Sequence, residues 1–311
     1  MSRVFVLGSM NMDTFLLVDE FVRPGQTIQA RAAKKLPGGK GFNQAVAAAR
    51  MGVDTLMVGS LGADSDGRAM RESASAEHCL DTSRVLEVKA HGTSVAMIQI
   101  DNSGENSIVV APGANQVNDV PSVEARLHDI GPGDVLVCQL EIPVDAVAAG
   151  LALACNAGAT TILNAAPGMA VGDLLGDVNL LIVNQTEAET ILGTQMEGAA
   201  QAIHSRYGSN VIVTLGAEGC HVVTVDSSET LPAVAAEVVD TTGAATPLSA
   251  RSPQPSLRAG RLSKLRSTAP RLPPMRASLR GPRGTRSGVP KLKSLSHSTK
   301  RSDHGTTDYR L

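Results

Sequence analysis

The chain has 311 residues and a formal net charge of −2. That balance hides two unlike parts: residues 1–244 carry 13 Lys/Arg against 28 Asp/Glu, whereas residues 245–311 carry 15 against 2 and hold eight of the 16 prolines. The acidic part is long enough to bury a substantial core, the basic Pro/Ser/Arg-rich part is not, and no run of about 18 apolar residues marks a membrane span. Cys79, Cys138, Cys155 and Cys220 are scattered, with no C-x-x-C pair and no Cys/His spacing suited to zinc, so they read as free thiols in a reducing, cytoplasmic setting. Asn11 and Asp13 interrupt the first apolar stretch and exclude a secretory leader there.

In chain order, "RVFVLGSMNMD" predicts a short strand ending at Gly8 and Ser9, with Asn11 and Asp13 closing it. "GFNQAVAAARMG", residues 41–52, predicts an Ala-rich helix that stops at a glycine. "DTLMVGSLG" is a strand, and "TSVAMIQIDNSGENSIVVAPGAN" reads as two strands joined by a polar turn, an antiparallel hairpin inside an alternating pattern. Alternation resumes through "DVLVCQL", "VDAVAAGLALACNAG", "TTILNAAP", "VNLLIVN", "TEAETILG" and "NVIVTLG". Strand and helix at this spacing predict an α/β fold, a mainly parallel sheet with helices on both faces. The hairpin near 92–112 and the stretch near 14–34 predict a smaller second sheet, a β lid.

Ligands in open α/β sheets collect at the carboxyl ends of strands, and polar clusters fall there repeatedly. "LPGGKGFNQ" sets Gly38, Gly39 and Gly41 around Lys40 and opens a helix carrying Asn43. Its glycines would let backbone N–H groups meet an oxygen-rich partner at the helix N-terminus, or form an ordinary tight turn. The stretch lacks the spacing of a Walker A loop, and no G-x-G-x-x-G follows a strand. Glu141 ends "VLVCQLE", Asn184 and Glu187 end "LLIVNQTE", and "TLGAEG" supplies Thr214 and Gly216. Singly, each carboxylate reads as a helix cap or a solvated charge rather than as a site; together they predict a polar row along one sheet edge. Metalloprotease and serine-hydrolase motifs are absent.

These segments resemble the ribokinase family of carbohydrate kinases over residues 3–244. "GSMNMD" is similar to the family's first sugar motif, "GGKGFNQAVAAARMG" to its N-terminal signature, the 92–115 hairpin to its lid, "QLEIP" to its sugar-facing glutamate, "NQTEAE" to its N-x-x-E motif and "TLGAEG" to its nucleotide-side turn. The resemblance implies ATP-dependent phosphorylation of a sugar's primary hydroxyl, most simply ribose to ribose 5-phosphate, with Mg²⁺ and K⁺. Deoxyribose, fructose or a nucleoside would use the same frame. It implies sugar contacts from Asn11, Asp13, Gly39, Lys40, Asn43 and Glu141. Asn184, Thr214 and Gly216 would line the nucleotide, Glu187 would serve Mg²⁺, and Asp240 and Thr242 would hold K⁺. It also implies a homodimer formed through the lid.

The family's next signature runs D-T-x-G-A-G-D-T-F, in which backbone N–H groups form an anion hole and the Asp takes the hydroxyl proton. Here Asp240 to Ala244 match, and then Ala245 and Thr246 stand where Gly and Asp belong. Gly243 and Ala244 are the anion-hole remnant, and the general base is missing. Loss of one base from GC-rich codons for GDTFVGALAATLAAG yields Ala245 to Arg258 as written. Residues 245–311 are therefore expected to be out of frame, disordered and without the fold's last helices, and the chain to be an impaired kinase or a non-catalytic sugar- or nucleotide-binding relic. The tail's charge would attract nucleic acid only nonspecifically, since it has one aromatic, Tyr309, and no binding-fold signature.

Overall fold

The computed structural model describes residues 2–195 and 197–233. Its main sheet follows the chain as β1 (Val4–Leu7), β4 (Thr55–Gly62), β5 (Leu80–Asp81), β6 (Val85–Val88), β9 (Val135–Cys138), β10 (Thr160–Asn164), β11 (Leu180–Asn184), β12 (Asn210–Thr214), β13 (Cys220–Val223) and β14 (Ser228–Leu231). The spatial order is β14-β13-β12-β11-β10-β9-β1-β4-β5, with β6 also paired to β4. All pairings are parallel except the two that β13 makes. A second sheet, ordered β3-β2-β7-β8, is built from β2 (Asn11–Leu17), β3 (Ala32–Gly38), β7 (Ser94–Ile100) and β8 (Asn106–Ala111).

Helices α1 (Lys40–Arg50) and α2 (Ser65–Ser75) lie on one face of the main sheet; α3 (Val120–Arg126), α4 (Val144–Asn156), α5 (Gln185–Leu192) and α6 (Ala199–Tyr207) lie on the other. Strand residues alternate between the two: Phe5, Leu7, Leu136 and Leu163 join the α3–α6 core, while Val6, Met57 and Val137 meet Phe42, Ala45 and Met70 of α1 and α2. Because both faces are covered, the strands read as continuous apolar runs. On the α1 side this cover thins beyond β9, where Ile162 still packs against that core and Ile182 is buried. Ile162, Leu180 and Ile212 face that side half-buried, and among the described residues no helix crosses them.

The parallel sheet and the antiparallel hairpin β7–β8 agree with expectation. Three departures are informative. Asn11 and Asp13 do not close β1; after Leu7 the chain leaves the main sheet, and Asn11 begins β2 of the second one. β9 stops at Cys138, so Glu141 sits in the following loop. Helix α6 went unread because its stretch, "AAQAIHSRY", has a weak apolar period between Gly198 and Gly208. The proposed tail, 245–311, and the signature residues from Asp240 onward lie outside the described residues.

The close crossing of α1 over the β1–β2 turn depends on Gly41. A Cβ there would stand 2.6 Å from Ser9 N and 2.7 Å from Gly8 C and Ser9 O, all backbone atoms. We expect Gly41→Ala to cost at least about 2 kcal/mol, because such overpacking can be relieved only by moving α1. Gly131→Ala, with nothing within 4 Å of the added atom, should be near neutral. Thermal melts of the two variants check the contrast.

Candidate active site

The first turn of α1 is satisfied by the chain itself. Glu141 Oε2 accepts from Ser9 Oγ at 2.5 Å and from the Lys40 N–H at 3.0 Å. Ser9 Oγ accepts from the Gly41 N–H at 3.2 Å, and Ser9 O from the Phe42 N–H at 2.9 Å. The oxygen-rich partner expected at this N-terminus is therefore an internal carboxylate, which suits both the orphan N–H groups and the helix dipole. Gly39, with φ +92°, makes the turn, and an added Cβ would meet Asn11 N at 2.9 Å. Glu141 Oε1 has no hydrogen-bond partner among the described residues.

Asn11 and Asp13 project from the same face of β2, since strand residues alternate. Both are buried, and Gly38 beside them is needed: a Cβ there would lie 2.0 Å from Asp13 Oδ2. Burial first, and the charge of Glu141 second, push the Asp13 carboxyl up to about 7; Lys40 opposes them. Lys40 also lowers Glu187, whose carboxyl burial raises. One ammonium thus acts on acidic groups from both halves of the sheet edge. Asn43, in the first turn of α1, is half-buried.

At the end of β11, Asn184 Oδ1 accepts from the Glu187 N–H and Glu187 Oε2 accepts from the Asn184 N–H, each at 2.8 Å. This is a complete capping box, so the helix-cap reading of these residues holds. It occupies one Glu187 oxygen. Further along, Thr214 ends β12 and its hydroxyl reaches Val183 O at 3.4 Å, while Gly216, at φ +59°, opens a short 3-10 turn. Asp240, Thr242, Gly243, Ala244 and Thr246 lie outside the described residues. Among the described residues no three His, Cys, Asp or Glu side chains stand close enough to hold a metal.

Three polar residues that sequence reasoning passed over belong to this edge. Ser9 bridges Glu141 and α1 as above. Asn115, in the 3-10 turn Gly113–Val117 after β8, donates to Asn11 Oδ1 at 2.8 Å. Asn164, at the end of β10, is 3 % exposed and its Oδ1 has no partner. With Asn164 the row is continuous from Ser9 through Glu141 to Asn184 and Thr214. The signal for it was the Asn ending "TTILN", in the same strand-end position as Asn184.

Asp13 makes stability depend on pH. Its value is near 4 in the unfolded chain and about 7 in the folded one. Its contribution is therefore fully present below about 4, falls as pH rises through about 7, and is flat above, an effect of up to about 4 kcal/mol. Asp13→Asn should remove that decline. Melting temperatures of both proteins at about pH 5 and pH 8 test it, and an equal pH dependence in the two would contradict the assignment.

The geometry meets its match among known proteins. The family model for pfkB family carbohydrate kinases matches residues 1–244. The chain is 35 % identical over 246 residues to the ribokinase of Haemophilus influenzae, covering 77 % of this chain and 80 % of that protein. It is 34 % identical over 251 residues to the ribokinase of Staphylococcus aureus, covering 78 % and 82 %. The solved structure of Arabidopsis thaliana ribokinase complexed with ribose and ATP matches with a TM-score of 0.65 at 27 % identity, covering 78 % of this chain and 82 % of that one. Its mainly parallel α/β sheet is thus the ribokinase-like fold, and the chain belongs to the pfkB family of carbohydrate kinases.

Proposed function

We propose that the chain is a ribokinase by descent whose sugar-binding half is intact and whose phosphoryl transfer is impaired. The observation that carries the first part is the cradle in which Ser9, Glu141 and the first turn of α1 lock together beside Asn11 and Asp13. Asp13 and the free Glu141 oxygen accept from sugar hydroxyls, Asn11 and Asn43 offer amides, and Gly39 lets the backbone approach. The similarity to ribokinases favours ribose over deoxyribose, fructose or a nucleoside.

In the reaction a primary hydroxyl oxygen attacks the γ-phosphorus of ATP, the bond to the β–γ bridging oxygen breaks, ADP leaves, and the hydroxyl proton passes to a base. Such transfer needs positioning and charge neutralisation above all. Lys40, whose charge reaches both Asp13 and Glu187, neutralises charge between sugar and phosphate. Asn184, Thr214 and Gly216 flank the nucleotide. The Glu187 oxygen outside the capping box fits one contact to a hydrated Mg²⁺ held mainly by phosphates, and that ion supplies charge neutralisation when bound. The K⁺ site assigned to Asp240 and Thr242 rests on residues outside those described.

The impairment rests on the sequence after Ala244, where the family match also ends, and on Thr246 in the place of the base. Restoring the signature with Ala245→Gly and Thr246→Asp, together with an in-frame C-terminus, should raise turnover by about 10²–10⁴, the usual worth of a positioned general base. Equal turnover of the two proteins, measured by ADP release with ribose, would contradict this. A non-catalytic sugar-binding relic is the second reading, favoured by the same intact cradle; ribose binding without detectable turnover would establish it.

The second sheet serves as a lid and as a dimer surface. Leu36, Asp13, Ala96 and Val110 form one row across it by register, so its apolar face runs on from the sugar site. Leu17, Leu36, Ile108 and Val110 are exposed there, and a shallow cavity of about 300 Å³ lies against Phe15, Leu17 and Ile100. Another copy's lid is the occupant that matches such an apolar sheet face. All four cysteines are free thiols, which supports a reducing compartment, and no described helix is long and apolar enough to cross a membrane. Ile108→Lys should convert the dimer to monomer in sedimentation equilibrium; a wild-type chain that is monomeric at all concentrations would refute the dimer.

A further inference from the structure

Arg126 of α3 is a buried cation, 9 % exposed, with no carboxylate in ion-pair distance among the described residues. Burial holds its guanidinium down to about 10, so it stays charged at neutral pH. An unpaired buried charge is costly, so its hydrogen bonds must make up for the water it has lost. Its neighbours show what the charge does instead. Nε donates to Ser122 O at 3.0 Å, Nη1 to Gly59 O at 2.8 Å and Arg84 O at 3.2 Å, and Nη2 to Asn118 Oδ1 at 2.9 Å.

A guanidinium can only donate, so Asn118 must turn its oxygen to Arg126. Its nitrogen then donates to Asn115 O at 2.9 Å, while Ser60 Oγ also donates to Asn118 Oδ1 at 2.9 Å. The Asn115 amide is fixed by the same logic. Its Oδ1 accepts from the Met10 backbone N–H at 3.1 Å, which leaves Nδ2 as the donor to Asn11 Oδ1 at 2.8 Å. Asn118, Asn115 and Asn11 are all at most 4 % exposed. Arg126 and Asn118 thus hold the Asn115 backbone, the Met10 N–H sets its amide, and the Asn11 oxygen is occupied as a result.

We infer that Asn115, held by Asn118 and Arg126, is a positioning residue that fixes the Asn11 amide with its nitrogen turned to the sugar. The inference rests on the sugar-site reading above and deepens it. With Asn11 in this orientation, the site face of β2 presents a donor at Asn11 and an acceptor two residues on at Asp13. A pair of neighbouring sugar hydroxyls can then be read by both, one oxygen accepting from Asn11 and one hydroxyl donating to Asp13. Reversal of the Asn11 amide would set two acceptors side by side and leave a buried group unpaired, which discriminates strongly against a ligand.

Asn115→Asp keeps the side chain's shape and its bond from Met10 N–H but removes the donor facing Asn11, which must then turn its nitrogen inward. At about pH 8, we expect ribose affinity by calorimetry to fall at least about tenfold, with ATP affinity unchanged. Arg126→Met fills the same volume without donors; it should melt lower and also bind ribose more weakly well below its melting temperature, which a purely structural role would not produce. A ligand-free reading accompanies both: the Asn11 side-chain amide resonances should shift in each variant. Unchanged ribose affinity in Asn115→Asp would overturn the inference. If the wild-type chain binds no ribose, the sugar reading fails instead and the Asn11 resonances decide: unshifted in Arg126→Met, they overturn the relay; shifted, they support it.

Discussion

One carboxylate oxygen, Glu141 Oε2, joins three elements that are far apart in the chain: the loop after β9, the turn after β1 and the first residue of α1. The bond from Ser9 spans 132 residues and that from Lys40 spans 101, so both are tertiary contacts that join the ends of the paired strands β1 and β9. A charge-assisted acceptor at a helix N-terminus is among the stronger hydrogen-bonding arrangements available to a protein. Once it is made, α1 is pinned against the sheet and Gly39, at φ +92°, is held in its turn. The Lys40 charge then acts on Asp13 on one side and on Glu187 on the other.

The same arrangement explains why the acidic groups here are costly to the fold. Asp13 is buried close enough to Glu141 for their charges to oppose, and Lys40 offsets only part of this. A carboxyl whose ionisation is pushed up to about 7 in the empty site regains stabilising donors when hydroxyl groups arrive. Stability is given up at the place where a ligand would restore it, which is the behaviour expected of a binding site rather than of a structural ion pair. Glu187 differs. Burial still raises its carboxyl, but the Asn184 N–H within the capping box and the Lys40 charge offset part of this, and one of its oxygens serves to start α5.

Much of this was legible in the sequence because it is local. The β1 apolar run, the Ala-rich period of α1, the hairpin turn between β7 and β8 and the N-x-x-E spacing at 184–187 each carry their own short-range signal. The N-x-x-E spacing shows the limit of such signals, since a capping box and a metal-side motif share it. What the sequence could not show is contact across large separations. Nothing between Leu7 and Asn11 announces that the chain changes sheets, because strand propensity is the same on both sides of the turn. Ser9 reads as a small turn residue until β9 brings Glu141 to it. Asn115 reads as part of a polar loop until β2 and β7 pair in parallel. Arg126, with Asp119 and Asp129 at helical spacing, reads as an ordinary surface cation.

On the proposed reading, the sugar half of the site is complete in the described part of the chain and Asp13 ionises to receive the sugar. Ribose titrated calorimetrically into the chain as it stands, at about pH 5.5 and about pH 8, tests it most directly. The account predicts saturable binding that tightens as pH rises through about 7, with proton release on binding below that value. Absence of ribose binding at either pH, or binding that Asp13→Asn leaves unchanged at both, would contradict it.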